Sequence, residues 1–104
     1  MDFENNVIFT KEELQDRLTP VFQNYNVKQA VLFGSYGKGT ATSNSDIDLL
    51  VDSGLKGLKF VGLINDIKTS LLDKDVDVFD ISHINTGSLI EREIQDSGVL
   101  IYAK

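Results

Sequence analysis

The stretch Gly34-Ser35-Tyr36-Gly37-Lys38-Gly39-Thr40-Ala41-Thr42-Ser43-Asn44-Ser45-Asp46-Ile47-Asp48-Leu49-Leu50-Val51 decides how this chain is read. Before it lies Val27 to Phe33, a β-rich apolar run that Gly34 ends, which predicts a buried strand. A strand followed by glycine, a hydroxyl and a helix start leaves backbone N–H groups unpaired. Those donors, with the Ser35 hydroxyl, suit phosphate oxygens. Taken alone the glycines describe no more than a turn. Asp46 to Asp52 alternates and predicts a second strand. Residues i and i+2 of a strand share a face, so Asp46 and Asp48 stand side by side, about 7 Å apart. Ile47 and Leu49 then point the other way, into a core. Two like charges so placed are either solvated surface or neutralised by cations. A pair of Mg²⁺ ions would neutralise them. An EF-hand reading fails, because the loop lacks the alternating ligands, the central glycine and the terminal glutamate.

Working outward, Leu14, Leu18, Val21, Phe22 and Tyr25 recur at helical spacing. Thr10-Lys11-Glu12-Glu13 is a capping-box pattern at the start of that helix. Pro20 inside it predicts a kink or a division near Thr19. Ser53 to Gly57 reads as a loop. Phe60, Ile64, Ile67 and Leu71 mark a second helix. Asp75 to Ile81 alternates again, with Val76 and Val78 on one face and Asp75, Asp77 and Phe79 on the other. If this third strand lies beside the second, Asp77 completes a cluster of three carboxylates. Leu89, Ile90 and Ile94 mark a short helix that Gly98 ends, and Val99 to Tyr102 reads as a fourth strand. The expected fold is α+β: a small mixed sheet with helices packed on one face, the other being free for chemistry. His83, the one histidine, reads as surface or cap, and Tyr36 and Tyr102 as packing residues, although Tyr36 could also stack near a nucleotide. Lys56, Lys59, Lys68, Lys74 and Asp52 read as solvated, and Asp73, Asp75 and Asp80 as surface charge.

The 104 residues are 41% hydrophobic and 25% charged, an ordinary globular composition for one domain spanning 1–104. The absence of cysteine excludes a disulfide scaffold or a thiolate metal site. Ten basic residues against 16 acidic ones give a net charge of −6, with aspartates crowded between Asp46 and Asp80. Nothing here forms the basic patch that clamps nucleic acid, so no direct nucleic-acid binding is expected. No apolar run approaches the ~20 residues that span a bilayer. The start MDFENNVIF is acidic and has no basic n-region, so it does not read as a signal peptide. A cytoplasmic protein without a membrane partner is the expectation.

Gly34-Ser35, ten residues, then Asp46-x-Asp48, with a third carboxylate at Asp77 on a later strand, resembles the nucleotidyltransferases of the DNA polymerase beta superfamily. The stretch from Gly34 to Val51 is similar to the minimal, MNT-type members, and the likeness runs over residues 27–102. Gly37-Lys38 stands where members commonly show Ala-Arg. Lysine keeps the positive charge and loses the bidentate fork. The resemblance implies a nucleotidyltransferase fold and a metal-dependent transfer of a nucleoside monophosphate, AMP from ATP, to a hydroxyl. It implies that Asp46, Asp48 and Asp77 hold two Mg²⁺ ions (or Mn²⁺), with Asp77 taking the hydroxyl proton. It further implies that Gly34, Ser35 and Lys38 hold the triphosphate. Many minimal members are antitoxins whose partner is a helical HEPN-type toxin, modified on a tyrosine. Two other readings stay open: a small-molecule nucleotidyltransferase acting as an oligomer, and a non-catalytic module that masks a toxin.

Overall fold

A computed structural model describes residues 8–104, so the acidic N-terminal start lies mostly outside the described residues. The elements run α1 (Lys11–Asn24), β1 (Gln29–Phe33), α2 (Gly34–Lys38), β2 (Ile47–Asp52), α3 (Leu58–Ser70), β3 (Val76–Asp80), a 3-10 turn (Ile81–His83), α4 (Leu89–Ser97) and β4 (Val99–Ala103). The strands form one mixed sheet in the order β3-β2-β1-β4. β1 is antiparallel to both β2 and β4, whereas β2 and β3 are parallel. The parallel pair is joined through α3, as a parallel connection requires.

Alternation sorts the sheet into two faces. Ala30 and Leu32 of β1, with Ile47, Leu49 and Val51 of β2, are buried in the core beneath α1 and α3. The helices contribute Leu14, Leu18 and Phe22 from α1 and Leu63 and Ile67 from α3, all fully buried. Burying side chains of this size contributes roughly 1.5–3 kcal/mol each. In β4 the register shifts between Ala30 and Val31, and a bulge lets both Ile101 and Tyr102 reach the core, where Tyr102 meets Phe22 at 5.2 Å between ring centroids.

α1 starts as expected. The Thr10 hydroxyl accepts from the Glu13 N–H at 3.0 Å, and the Glu13 carboxylate accepts from the Thr10 N–H at 2.8 Å. Pro20 does not divide the helix, which runs unbroken from Lys11 to Asn24. The Thr19 hydroxyl turns back to donate to the Gln15 carbonyl at 2.7 Å, and packing of Leu18 and Phe22 on either side of the proline holds the turn in place. Two charged residues expected at the surface are buried. Lys74 is 5% exposed and donates from Nζ to the Ser43 carbonyl at 3.2 Å. Asp80 is 2% exposed, because it ties the end of β3 to the end of β2. Its Oδ1 accepts from the N–H and hydroxyl of Ser53, and its Oδ2 from the N–H and hydroxyl of Ser82.

Candidate functional site

The sheet face opposite α1 and α3 carries Asp48, Leu50 and Asp52 from β2. Register makes the site: Asp48 lies opposite Phe33 on one side and opposite Asp77 on the other. The parallel pairing thus brings together two carboxylates far apart in sequence. Asp77 is exposed and Asp48 half-buried, and Asp46 is exposed just before β2 begins. On the same face, Phe33 and Phe79 stack at a tilt with ring centroids 5.9 Å apart.

Gly34 turns the chain out of β1 with φ +69, a left-handed conformation that an L side chain rarely adopts. A methyl group there would also collide with the Asp48 carboxylate, so the backbone of the Gly34–Ser35 turn passes directly over that side chain. Ser35 opens α2, whose first turn has no side-chain cap. Tyr36 points into the core and is buried there, which makes it a packing residue. Lys38 sits at the end of α2, 3.8 Å from Asp96 of α4 in an exposed pair. A Cβ at Gly37 would strike the Ser97 carbonyl, which shows how tightly α2 lies against the end of α4.

α4 is the part of the site that the sequence concealed. Ser97 is buried; its hydroxyl accepts from the Gly34 N–H at 3.1 Å and donates to the Glu93 carbonyl at 2.8 Å. Glu93 itself bears on Asp48. The Asp48 carboxyl is raised to about 6, first by burial, then by the negative charges of Asp77, Glu93 and Asp46. A serine and a glutamate near the end of an amphipathic helix carry no signal of either role.

Among the described residues, no three acidic or histidine side chains converge closely enough to enclose an ion by themselves. Mg²⁺ does not need such a cage. It is commonly held by one or two carboxylates, with waters and substrate phosphates filling the other positions. Adjacent carboxylates from β2 and β3, one with its proton affinity raised by burial and by its neighbours' charge, match that donor set. His83 lies outside the group and meets Phe60 edge-on, with ring centroids 6.2 Å apart.

On the same face, beyond Leu50, a cleft of about 330 Å³ lies between the sheet and α4, lined by Leu50, Ile81, Ile84, Glu91, Ile94 and Gln95. No helix among the described residues is long and apolar enough to cross a membrane.

Comparison with known proteins shows the family. Residues 16–104 match the family described as "Polymerase beta, Nucleotidyltransferase". Two proteins of Methanocaldococcus jannaschii, named as candidate protein adenylyltransferases, are similar to this chain. One is 32% identical over 94 residues, covering 88% of this chain and 92% of the relative; the other is 34% identical over 76 residues, covering 70% and 80%. Among solved structures, a chain of a toxin–antitoxin crystallised with AMP-PNP superposes with a TM-score of 0.71 at 24% identity, covering 86% of this chain and 73% of that one. A chain of the complex of tri-AMPylated Shewanella oneidensis HEPN toxin with MNT antitoxin superposes at 0.67 with 19% identity, covering 91% and 74%. These likenesses between structures establish the fold.

Proposed function

This chain belongs to the polymerase beta nucleotidyltransferase family, and on that footing we propose that it transfers AMP from ATP to a hydroxyl of a partner protein, a tyrosine of a helical HEPN-type toxin, as the antitoxin of the pair. The observation that carries this reading is the apposition of the Gly34–Ser35 turn with the Asp48–Asp77 pair on the open face of the sheet. Both Methanocaldococcus relatives are named as candidate protein adenylyltransferases, and the two toxin–antitoxin likenesses support a toxin as the partner.

Each residue then has a task. Gly34 and Ser35 hold the triphosphate tail, the glycine letting the turn pass close to the Asp48 carboxylate. Lys38 adds positive charge at the tail, where its pairing with Asp96 is weak enough to give up. Asp46, Asp48 and Asp77 would hold two divalent cations, Mg²⁺ or Mn²⁺, together with the substrate's phosphates. When bound, the ions supply charge neutralisation at the phosphates and acidify the attacking hydroxyl. Asp77 takes the proton of that hydroxyl. The hydroxyl oxygen bonds to the α-phosphorus, the bond from that phosphorus to the bridging oxygen breaks, and pyrophosphate departs with the electron pair. The acidic balance of the chain is compatible with a phosphate-binding task because the cations bring the positive charge.

The test is transfer of label. The purified chain is incubated with α-labelled ATP, Mg²⁺ and a lysate of its host, beside an Asp46→Asn/Asp48→Asn control. A labelled protein band that needs the wild-type carboxylates is the expected result. Label in a small molecule would point to a small-substrate enzyme. No transfer by a folded, ATP-binding protein would point to a masking module.

A further inference from the structure

The site lies along one face of the sheet in a fixed order. The Gly34–Ser35 turn is at one end, the Asp48–Asp77 pair follows, and Leu50, two residues further along β2, leads into the cleft beneath α4. In an in-line displacement the attacking oxygen and the leaving oxygen sit on opposite sides of the phosphorus. With the leaving pyrophosphate held at the Gly34–Ser35 end, the attacking hydroxyl comes from the Leu50 end. We propose that the cleft bounded by Leu50, Ile81, Ile84 and Ile94 is the docking groove for the acceptor, and that it takes a protein segment with apolar residues next to the modified tyrosine and a basic residue beside them.

This inference rests on the nucleotidyl-transfer reading above and adds to it where the acceptor binds and what it looks like. The apolar part of the claim comes from the lining. Ile81 is 47% exposed, and Leu50, Ile84 and Ile94 are each only half-covered, so four aliphatic side chains are left in partial contact with water on the active face. The basic part comes from the wall. Glu91 lines the cleft with its charge, its Oε1 already accepting from the Gly87 N–H at 2.8 Å, and no basic residue lines it among the described residues. A nucleobase fits this position less well. The nucleoside is joined to the α-phosphorus across the line of attack rather than along it.

The groove can be probed without knowing the natural partner. Two fluorescein-labelled synthetic peptides carry a central tyrosine with leucine and isoleucine nearby, one flanked by arginine and one by glutamate. Anisotropy measures their binding to the full chain with ATP and Mg²⁺ present. The arginine peptide is expected to bind saturably and at least threefold more tightly than the glutamate peptide. Ile81→Asn and Ile84→Asn are each expected to weaken it about tenfold while ATP affinity and circular dichroism stay as in the wild type. Glu91→Gln, which keeps the acceptor for Gly87, is expected to remove the preference for arginine. Ile81 is the more exposed of the two isoleucines, so its variant remains informative if Ile84→Asn misfolds. The proposal falls if neither peptide binds saturably. It also falls if the isoleucine variants leave peptide binding unchanged, or if they weaken ATP instead. The parent reading fails separately: a peptide that binds through the groove but is never labelled by wild-type protein with ATP and Mg²⁺ would leave the groove standing and remove the transferase.

Discussion

The two faces of β2 obey opposite rules. On one side Ile47, Leu49 and Val51 are fully buried in a dry core; on the other Asp48, Leu50 and Asp52 are half-exposed. One face is built to be stable. The other half-buries Asp48 beside three negative neighbours and so holds a carboxylate away from its ordinary ionisation. A strand of six residues thus separates what holds the protein together from the face proposed to carry its chemistry, and substitutions one residue apart should have unlike consequences.

The sharpest contrast is Asp48 against Leu49. Asp48→Asn is expected to lower AMP transfer on the order of a thousandfold, about 4 kcal/mol of barrier, yet to make the metal-free protein slightly more stable at pH 7.5. Chemical denaturation beside the transfer assay would show both, and a loss of activity accompanied by a loss of stability would break the division between the faces. Leu49→Ala should do the reverse, lowering stability by about 3 kcal/mol through the cavity it leaves. Transfer by the fraction still folded should stay near wild type.

Gly34→Ala tests the boundary between the two regimes. Its positive φ and the collision with Asp48 predict a stability loss of about 1–2 kcal/mol together with a raised KM for ATP. A variant with wild-type KM would show that the turn does not need its glycine for the nucleotide.

Asp80 and Asp48 should answer pH in opposite senses. Burial pushes the Asp80 carboxyl up, but the hydrogen bonds from Ser53 and Ser82 outweigh it and bring it down to about 2. Its contribution to stability is therefore present above the ordinary carboxylate range and lost as pH falls from about 4 to about 2, an effect on the order of 1–2 kcal/mol. Asp80→Asn should flatten that acid limb. Asp48, raised to about 6, contributes most below pH 4, and that stability is lost as pH rises through 6. Added Mg²⁺ should offset this loss, raising the thermal midpoint at pH 7.5 and having little effect at pH 5. A Mg²⁺ shift equal at both values would mean that the ion binds elsewhere.

What the sequence disclosed follows the same division. The alternation of Asp46 to Asp52 and of Asp75 to Ile81 assigns each residue to a face, and parallel pairing then places Asp77 beside Asp48 without further information. The Gly34–Ser35 turn was legible for a similar reason, since a strand, a glycine and a hydroxyl are neighbours in the chain. Lys74, Asp80, Glu93 and Ser97 were not. Each owes its position to a partner on a different element: Lys74 to the Ser43 carbonyl, Asp80 to Ser53, Glu93 to Asp48 and Ser97 to Gly34. Local pattern reports which way a side chain faces, and it is silent about what it will meet there. Pro20 shows the converse, because a strong local signal for a break gives way to the burial of Leu18 and Phe22 around it.

The central position of β1 has a consequence for the order in which the molecule assembles. Its two neighbours come from very different distances along the chain: Phe33 meets Asp48 across a short excursion, whereas Gln29 must wait for Ala103. Short loops close at smaller entropic cost and long ones slow the search. The β1–β2 pair, and with it the meeting of Gly34 and Asp48, is therefore expected to form early in folding. α4 and β4 dock late on a platform that already carries the glycine turn and the first carboxylates. In hydrogen exchange the last two elements would then open before the first pair does, so that the nascent protein acquires its glycine turn before it acquires the helix that packs against it.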